Sequence, residues 1–101
     1  MTIYNKLVRD RIPELIRAGG ETPITRVLEE QEYRVHLEAK LDEEVGEFHR
    51  DRNLEELADI LEVVYALADG LGGREVLLRL YEKKHEARGG FRDKIFLIGK
   101  E

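Results

Sequence analysis

The chain contains no cysteine, which excludes disulfides, thiolate metal sites and cysteine nucleophiles. It has no apolar run long enough to cross a membrane, and its opening residues lack the apolar stretch of a secretory signal peptide. The P-loop, the G-x-G-x-x-G fingerprint and the G-x-S-x-G elbow are all absent, and the three histidines form no metal-binding motif. We therefore expect a cytoplasmic protein without membrane attachment.

Size and charge limit the class of protein further. The chain has 101 residues, of which 42% are hydrophobic and 39% charged, so we expect a single globular domain over residues 1–101 with a strongly ionic surface. The formal charge of −5 argues against broad binding to a nucleic-acid polymer. It is compatible with small phosphorylated substrates, because a bound divalent cation can reverse the sign of a site locally.

Hydrophobic periodicity and end signals predict a mainly α-helical fold. Asp10 is a plausible N-cap for a short helix with Pro13 in its first turn, which would end at Gly19-Gly20. Further helices are predicted at about residues 30–50, from an Asn53 cap to about residue 70, and over 74–88. Two segments rich in β-branched and aromatic residues, 23–28 and 94–98, predict a minor two-stranded ribbon.

The helix that follows Asn53 is apolar around most of its circumference. At 100° per residue its one plainly solvated strip is Glu55, Glu62 and Asp69. A helix of that kind is buried on several sides, and so small a chain has too few helices to cover it. The pattern predicts a helical hairpin bundle completed by oligomerisation.

Four carboxylates stand at mirrored positions around the predicted turn near Asp51 and Arg52. Glu44 and Glu47 are three residues apart, as are Glu56 and Asp59, and residues three apart share a helix face. In an antiparallel hairpin with this turn, Glu47 would face Glu56 and Glu44 would face Asp59. Four converging carboxylates need a counter-charge, so the spacing predicts a metal site.

The chemistry of this donor set favours Mg²⁺, a hard cation that prefers oxygen ligands and often binds carboxylates together with substrate phosphates. Mn²⁺ would use the same ligands. Glu56 also has a purely structural interpretation, because it lies three residues after the Asn53 cap, where a capping box has its acid. Gly46, between the acids of the first pair, either permits close approach of a ligand or backbone, or is simply tolerated.

Two basic residues near the end of the last helix are candidate phosphate ligands. Lys84 and Arg88 are four residues apart, just before Gly89-Gly90-Phe91. They would either complement the negative end of the helix dipole or hold phosphate oxygens. Spacing alone leaves these two interpretations open, and it assigns no role to Lys6, Arg9 or Phe91.

These motifs together resemble a known family. KLDEEVGEF followed by EELADILEVV is similar to the E-x-x-E…E-x-x-D signature of the MazG-like, all-α nucleotide pyrophosphohydrolases, a superfamily that includes phosphoribosyl-ATP pyrophosphohydrolase and the dimeric dUTPases. The opening YNKLVRDRIPELI and the element KHEARGGF resemble a small branch labelled phosphoribosyl-ATP pyrophosphohydrolase-like. The eight residues between Glu47 and Glu56 are fewer than in a typical MazG domain, which leaves less loop for a base pocket.

The resemblance implies a Mg²⁺-dependent enzyme that cleaves a nucleoside triphosphate between its α and β phosphates, releasing a monophosphate and pyrophosphate. It implies that Glu44, Glu47, Glu56 and Asp59 are the metal ligands and that Lys84 and Arg88 face the triphosphate. Glu47 is then our choice of general base. It also implies a homodimer or a homotetramer.

The leading interpretation is an enzyme that removes unwanted or noncanonical nucleotides from the nucleotide pool, and two alternatives remain beside it. One is hydrolysis of phosphoribosyl-ATP in histidine biosynthesis. The other is a non-catalytic module that binds nucleotide or metal and dimerises. Retention of all four acids favours catalysis, because a binding module has no need of every ligand.

Overall fold

A computed structural model describes all 101 residues, and they form four helices and no strand. The mainly helical prediction is therefore confirmed, and no helix is long and apolar enough to span a membrane. The chain forms two compact units, Met1–Leu67 and Ala68–Glu101. The helices are α1 (Ile12–Ala18), α2 (Glu30–Asp51), α3 (Leu54–Asp69) and α4 (Arg74–Arg88).

The N-cap of the first helix lies one residue later than predicted. Arg11, not Asp10, occupies the N-cap position, and it makes no side-chain capping hydrogen bond. The backbone enters the helix through a turn in which the Ile12 N–H donates to the Arg9 carbonyl at 3.0 Å. Pro13 has no N–H, so few backbone donors are left for a cap to satisfy. The prediction that Asp10 caps α1 was wrong.

The predicted two-stranded ribbon is also wrong, since residues 23–28 and 94–98 belong to neither a helix nor a strand. Strand propensity favours an extended backbone, but a strand exists only when another segment pairs with its N–H and C=O groups. A two-stranded ribbon is marginally stable in any case. The side chains of these segments are largely exposed, with Ile24, Val27, Phe96 and Ile98 at 77–96%.

The hydrophobic core is small. Leu37 on α2 and Val63 on α3 are buried in the first unit, with 5% and 6% of their surface exposed. The face of α3 that carries Leu54, Leu57 and Leu61 remains 44–81% exposed. The helix thus buries one of its apolar faces within the chain and leaves another uncovered.

Candidate metal centre

The structure brings the four predicted carboxylates together. One oxygen from each of Glu44, Glu47, Glu56 and Asp59 can be chosen so that all four atoms lie within 4.8 Å of one another. The first two residues are on α2 and the last two on α3. The convergence predicted from the mirrored spacing is confirmed.

The turn between α2 and α3 consists of Arg52 and Asn53. Arg52 ends α2 in the left-handed conformation (φ 50°, ψ 47°), and its N–H donates to the Phe48 carbonyl at 2.7 Å. Asn53 then begins α3, because its side-chain oxygen accepts a hydrogen bond from the Glu56 N–H at 2.9 Å. So short a connection keeps the end of α2 close to the start of α3, and the acid pairs of the two helices meet there.

Only the Asn53 half of the predicted capping box is present, because no hydrogen bond joins the Glu56 carboxylate to the Asn53 N–H. The backbone N–H of Glu56 is engaged by the Asn53 cap, while its carboxylate belongs to the cluster. The capping-box interpretation of the Glu56 side chain is therefore wrong, and its carboxylate belongs to the cluster alone.

Two oxygens of the cluster are buried without a hydrogen-bond partner, Oε2 of Glu44 and Oε2 of Glu56. No other buried side-chain nitrogen or oxygen in the chain lacks a partner. Glu44 as a whole is only 7% exposed. Because an unsatisfied buried polar group costs roughly 1–3 kcal/mol, and more when charged, these two atoms mark a place where a cation would stabilise the fold.

Basic side chains neutralise three of the four carboxylates. Lys40 Nζ lies 3.3 Å from Oε1 of Glu44, and Arg50 lies 3.9 Å from Glu47. Asp59 accepts a 2.7 Å hydrogen bond from Arg9. Glu56 has no ion-pair partner, so the cluster retains uncompensated negative charge at the residue that also has an unpartnered oxygen.

The pKa values of two cluster acids reflect this environment. Burial raises the pKa of Glu44, and repulsion from Glu47 adds to the rise, against the opposing effect of Lys40. Desolvation likewise raises the pKa of Glu56, followed by repulsion from Glu47, Asp51, Asp59 and Glu44. Both acids therefore bind a proton more tightly than an ordinary glutamate does.

The donor set fits a hard divalent cation. Octahedral coordination at about 2.1 Å places ligand atoms roughly 3–4.2 Å apart, so oxygens within 4.8 Å of one another need only a small adjustment. All four ligand atoms are carboxylate oxygens, and no nitrogen or sulfur ligand belongs to the cluster. This composition suits Mg²⁺ or Mn²⁺ better than Zn²⁺ or copper.

Lys84 and Arg88 lie on α4 in the second compact unit, one helical turn apart. They line the same open surface pocket, together with His85, Gly89 and Phe91. Phe91 is 98% exposed, which excludes the core position that an aromatic residue takes by default. The pocket combines cationic side chains with an exposed aromatic ring, and its role in phosphate binding stays a prediction.

The contacts of two basic residues in the opening segment, Lys6 and Arg9, were not predicted from the spacing of the sequence. Lys6 Nζ lies 3.4 Å from Glu43 on α2, and Arg9 contacts both Asp59 and Glu62 on α3. The segment thus reaches both helices of the hairpin. The sequence showed that this segment carries two basic residues. It did not show which acids they contact, because helical periodicity does not predict the path of a non-helical segment.

Comparison with known proteins adds one similarity. A protein of Mycolicibacterium smegmatis described as uncharacterized is 59% identical over 54 residues, which cover 50% of this chain and 55% of that protein. The match therefore extends over about half of the relative's length. No protein-family model matches the chain, and no solved structure matches it.

Proposed function

We propose that the protein is a Mg²⁺-dependent nucleoside triphosphate pyrophosphohydrolase that removes unwanted nucleotides. The observation that carries the proposal is the four-carboxylate cluster, with its two buried and unpartnered oxygens. An acidic cluster alone would be compatible with a solvated surface. A carboxylate as buried as Glu44, with one oxygen that nothing satisfies, calls for a cation.

The reaction class comes from the resemblance of both acid pairs to the E-x-x-E…E-x-x-D signature. In the proposed reaction a water oxygen bonds to the α-phosphorus, and the bridging oxygen leaves with the β-phosphate as pyrophosphate. A bound Mg²⁺ would neutralise phosphate charge and lower the pKa of the attacking water. Glu44, Glu56 and Asp59 would hold the metal together with Glu47.

Glu47 is our choice to accept the proton of the attacking water, because it is the most weakly paired of the three acids that have a cationic partner. Its carboxylate is half-buried, and its ion pair with Arg50 is long at 3.9 Å. Glu44 and Asp59 have closer cationic partners, at 3.3 and 2.7 Å. A base must have a lone pair free in the productive complex, and Glu47 is the less engaged of the paired acids. Lys84 and Arg88 would bind phosphate oxygens, Arg88 through two parallel hydrogen bonds.

A homodimer or homotetramer is part of the proposal. The exposed leucines of α3 supply an apolar surface for a second copy. Nucleotide triphosphates and Mg²⁺ are both plentiful in the cytoplasm, where we expect the protein to act.

The decisive experiment measures pyrophosphate release from a panel of canonical and altered nucleoside triphosphates, with and without Mg²⁺. We expect metal-dependent release from one or a few of them. Asp59→Asn should lower the rate at least about 100-fold, because a metal site supplies several kcal/mol of transition-state stabilisation. Asp69→Asn is the matched control, since Asp69 is an exposed residue of the same helix.

If folded protein that binds metal releases no pyrophosphate from any nucleotide of the panel, the proposed substrate class is contradicted. Phosphoribosyl-ATP would then be tested next, because the opening segment resembles the branch named after that activity. Failure there as well would leave the non-catalytic nucleotide- or metal-binding module.

A further inference from the structure

The opening segment places a guanidinium group at the edge of the carboxylate cluster. Arg9 Nη2 donates a 2.7 Å hydrogen bond to Oδ1 of Asp59, and Arg9 Nη1 lies 3.3 Å from Oε1 of Glu62. Asp59 belongs to the cluster, whereas Glu62, one turn further along α3, does not. Arg9 is thus tied to the cluster by one hydrogen bond and to its border by the other.

We propose that Arg9 is a phosphate-binding residue that Asp59 holds in place until metal and substrate arrive. This inference rests on the proposed metal-dependent hydrolysis. The four carboxylates would hold a cation through the same Asp59 carboxylate that Arg9 now contacts, and the charge of that cation would repel the guanidinium. Glu62 is not a residue of the cluster, so its contact with Arg9 would last until phosphate replaces both carboxylates.

Because the Arg9 and Asp59 side chains are both exposed, Arg9 loses little free energy when it exchanges Asp59 for another partner. The side chains of Arg9 and Asp59 are 51% and 39% exposed, and ion pairs so open to water contribute about 0–1 kcal/mol. Lys40 provides the contrast, because its side chain is 17% exposed and its partner Glu44 is buried. Lys40 therefore serves as a fixed counter-charge, whereas Arg9 is free to change partner.

Charge and geometry favour phosphate as the new partner. A triphosphate that carries one divalent cation retains about two negative charges, which a cationic side chain beside the metal would neutralise. A guanidinium can donate two parallel hydrogen bonds to phosphate oxygens, and Nη1 and Nη2 of Arg9 would exchange the two carboxylates that they contact here for one phosphate. Arg9 would then hold the phosphate next to the metal, and Lys84 and Arg88 are not needed for that contact.

The test compares Arg9→Ala, Arg9→Lys and the control Arg11→Ala. Arg11 is an exposed residue two positions away whose carboxylate partner is Glu14 on α1, outside the cluster. Titration calorimetry would measure the binding of Mn²⁺ alone and then of inorganic tripolyphosphate in saturating Mg²⁺. Circular dichroism melting curves would show that each variant is folded.

We expect Arg9→Ala to weaken tripolyphosphate binding at least 10-fold while Mn²⁺ binds as tightly as before or up to several-fold more tightly. Arg9→Lys should recover part of the tripolyphosphate affinity, and Arg11→Ala should match the wild type. Equal tripolyphosphate affinity in wild type and Arg9→Ala, or no binding by the wild type, would overturn the inference. A parallel loss of Mn²⁺ and tripolyphosphate binding would also overturn it, because Arg9 would then act only on the shape of the site.

The calorimetry and the pyrophosphate-release assay together separate this inference from the proposed function. Arg9-dependent tripolyphosphate binding by a protein that releases no pyrophosphate from any nucleotide would contradict the hydrolase and support Arg9. Hydrolysis that is unaffected by Arg9→Ala would support the hydrolase and contradict the role of Arg9.

Discussion

The side-chain oxygen of Asn53 accepts a hydrogen bond from the backbone N–H of Glu56 at 2.9 Å, so the cap of α3 holds the backbone of a residue whose carboxylate belongs to the cluster. The cap determines where α3 begins. The start of the helix in turn determines which residues face Glu44 and Glu47 across the hairpin. Local backbone chemistry and the candidate metal centre are therefore connected through one residue.

Asn53→Ala should lower the free energy of unfolding by about 1 kcal/mol, within the 0.5–2 kcal/mol typical of a lost N-cap. Asn53→Ser should retain most of the stability, because its hydroxyl oxygen can accept the same hydrogen bond. Urea unfolding followed by circular dichroism measures both. An Asn53→Ala variant as stable as the wild type would show that the cap does not hold this end of the helix.

Mg²⁺ should raise the melting temperature of the wild type relative to EDTA. At 100 times its dissociation constant a ligand stabilises by about 2.7 kcal/mol, which corresponds to roughly 10–20 °C for a chain of this size. Glu44→Gln should abolish most of the shift, because it removes the buried ligand. Glu38→Gln, at an exposed position of the same helix, should leave the shift unchanged. The absence of any shift at millimolar Mg²⁺ or Mn²⁺ would count against the site.

Glu56→Gln should stabilise the metal-free protein at neutral pH. The pKa of Glu56 is raised above its ordinary value of 4.5, so the folded state binds this proton more tightly than the unfolded chain. Its contribution to the free energy of unfolding is therefore fully present below pH 4.5 and is lost as the pH rises through the raised pKa.

The stability difference between Glu56→Gln and the wild type should accordingly grow from acidic to neutral pH in EDTA. Mg²⁺ should reverse its sign, because a charged carboxylate binds the cation more tightly than a neutral amide does. Chemical denaturation at several pH values measures this, with Glu55→Gln as the exposed neighbouring control. A difference that does not depend on pH would mean that Glu56 is not destabilised by its neighbours.

Gly46→Ala should stabilise the isolated chain by up to about 1 kcal/mol, because alanine is the better helix former. A Cβ atom at Gly46 would meet nothing within 4 Å, so no steric cost offsets the gain. Thermal unfolding measures the stability, and pyrophosphate release measures any effect on catalysis. Higher stability with lower activity or altered assembly would indicate that a ligand or a second copy needs this space, whereas lower stability would contradict the prediction.

The amino-acid sequence alone determined the helices and the meeting of the acids. Glycine stops, capping residues and periodicity act within a few residues of the chain. They are enough to predict the bounds of α4, Arg74–Arg88, and the Asn53 cap of α3. The convergence of Glu44, Glu47, Glu56 and Asp59 also follows from local rules, because a two-residue turn allows little freedom in how adjacent helices face each other.

Tertiary structure decided what depends on distant partners. The segments 23–28 and 94–98 have strand propensity, but pairing requires hydrogen bonds from another segment, and none pairs with them here. The burial of Val63 and the exposure of Leu57 on one apolar helix depend on what packs against each face. The contact of Arg9 with Asp59 joins residues 50 positions apart. Arg9 lies in a non-helical segment, and no local periodicity predicts the path of such a segment.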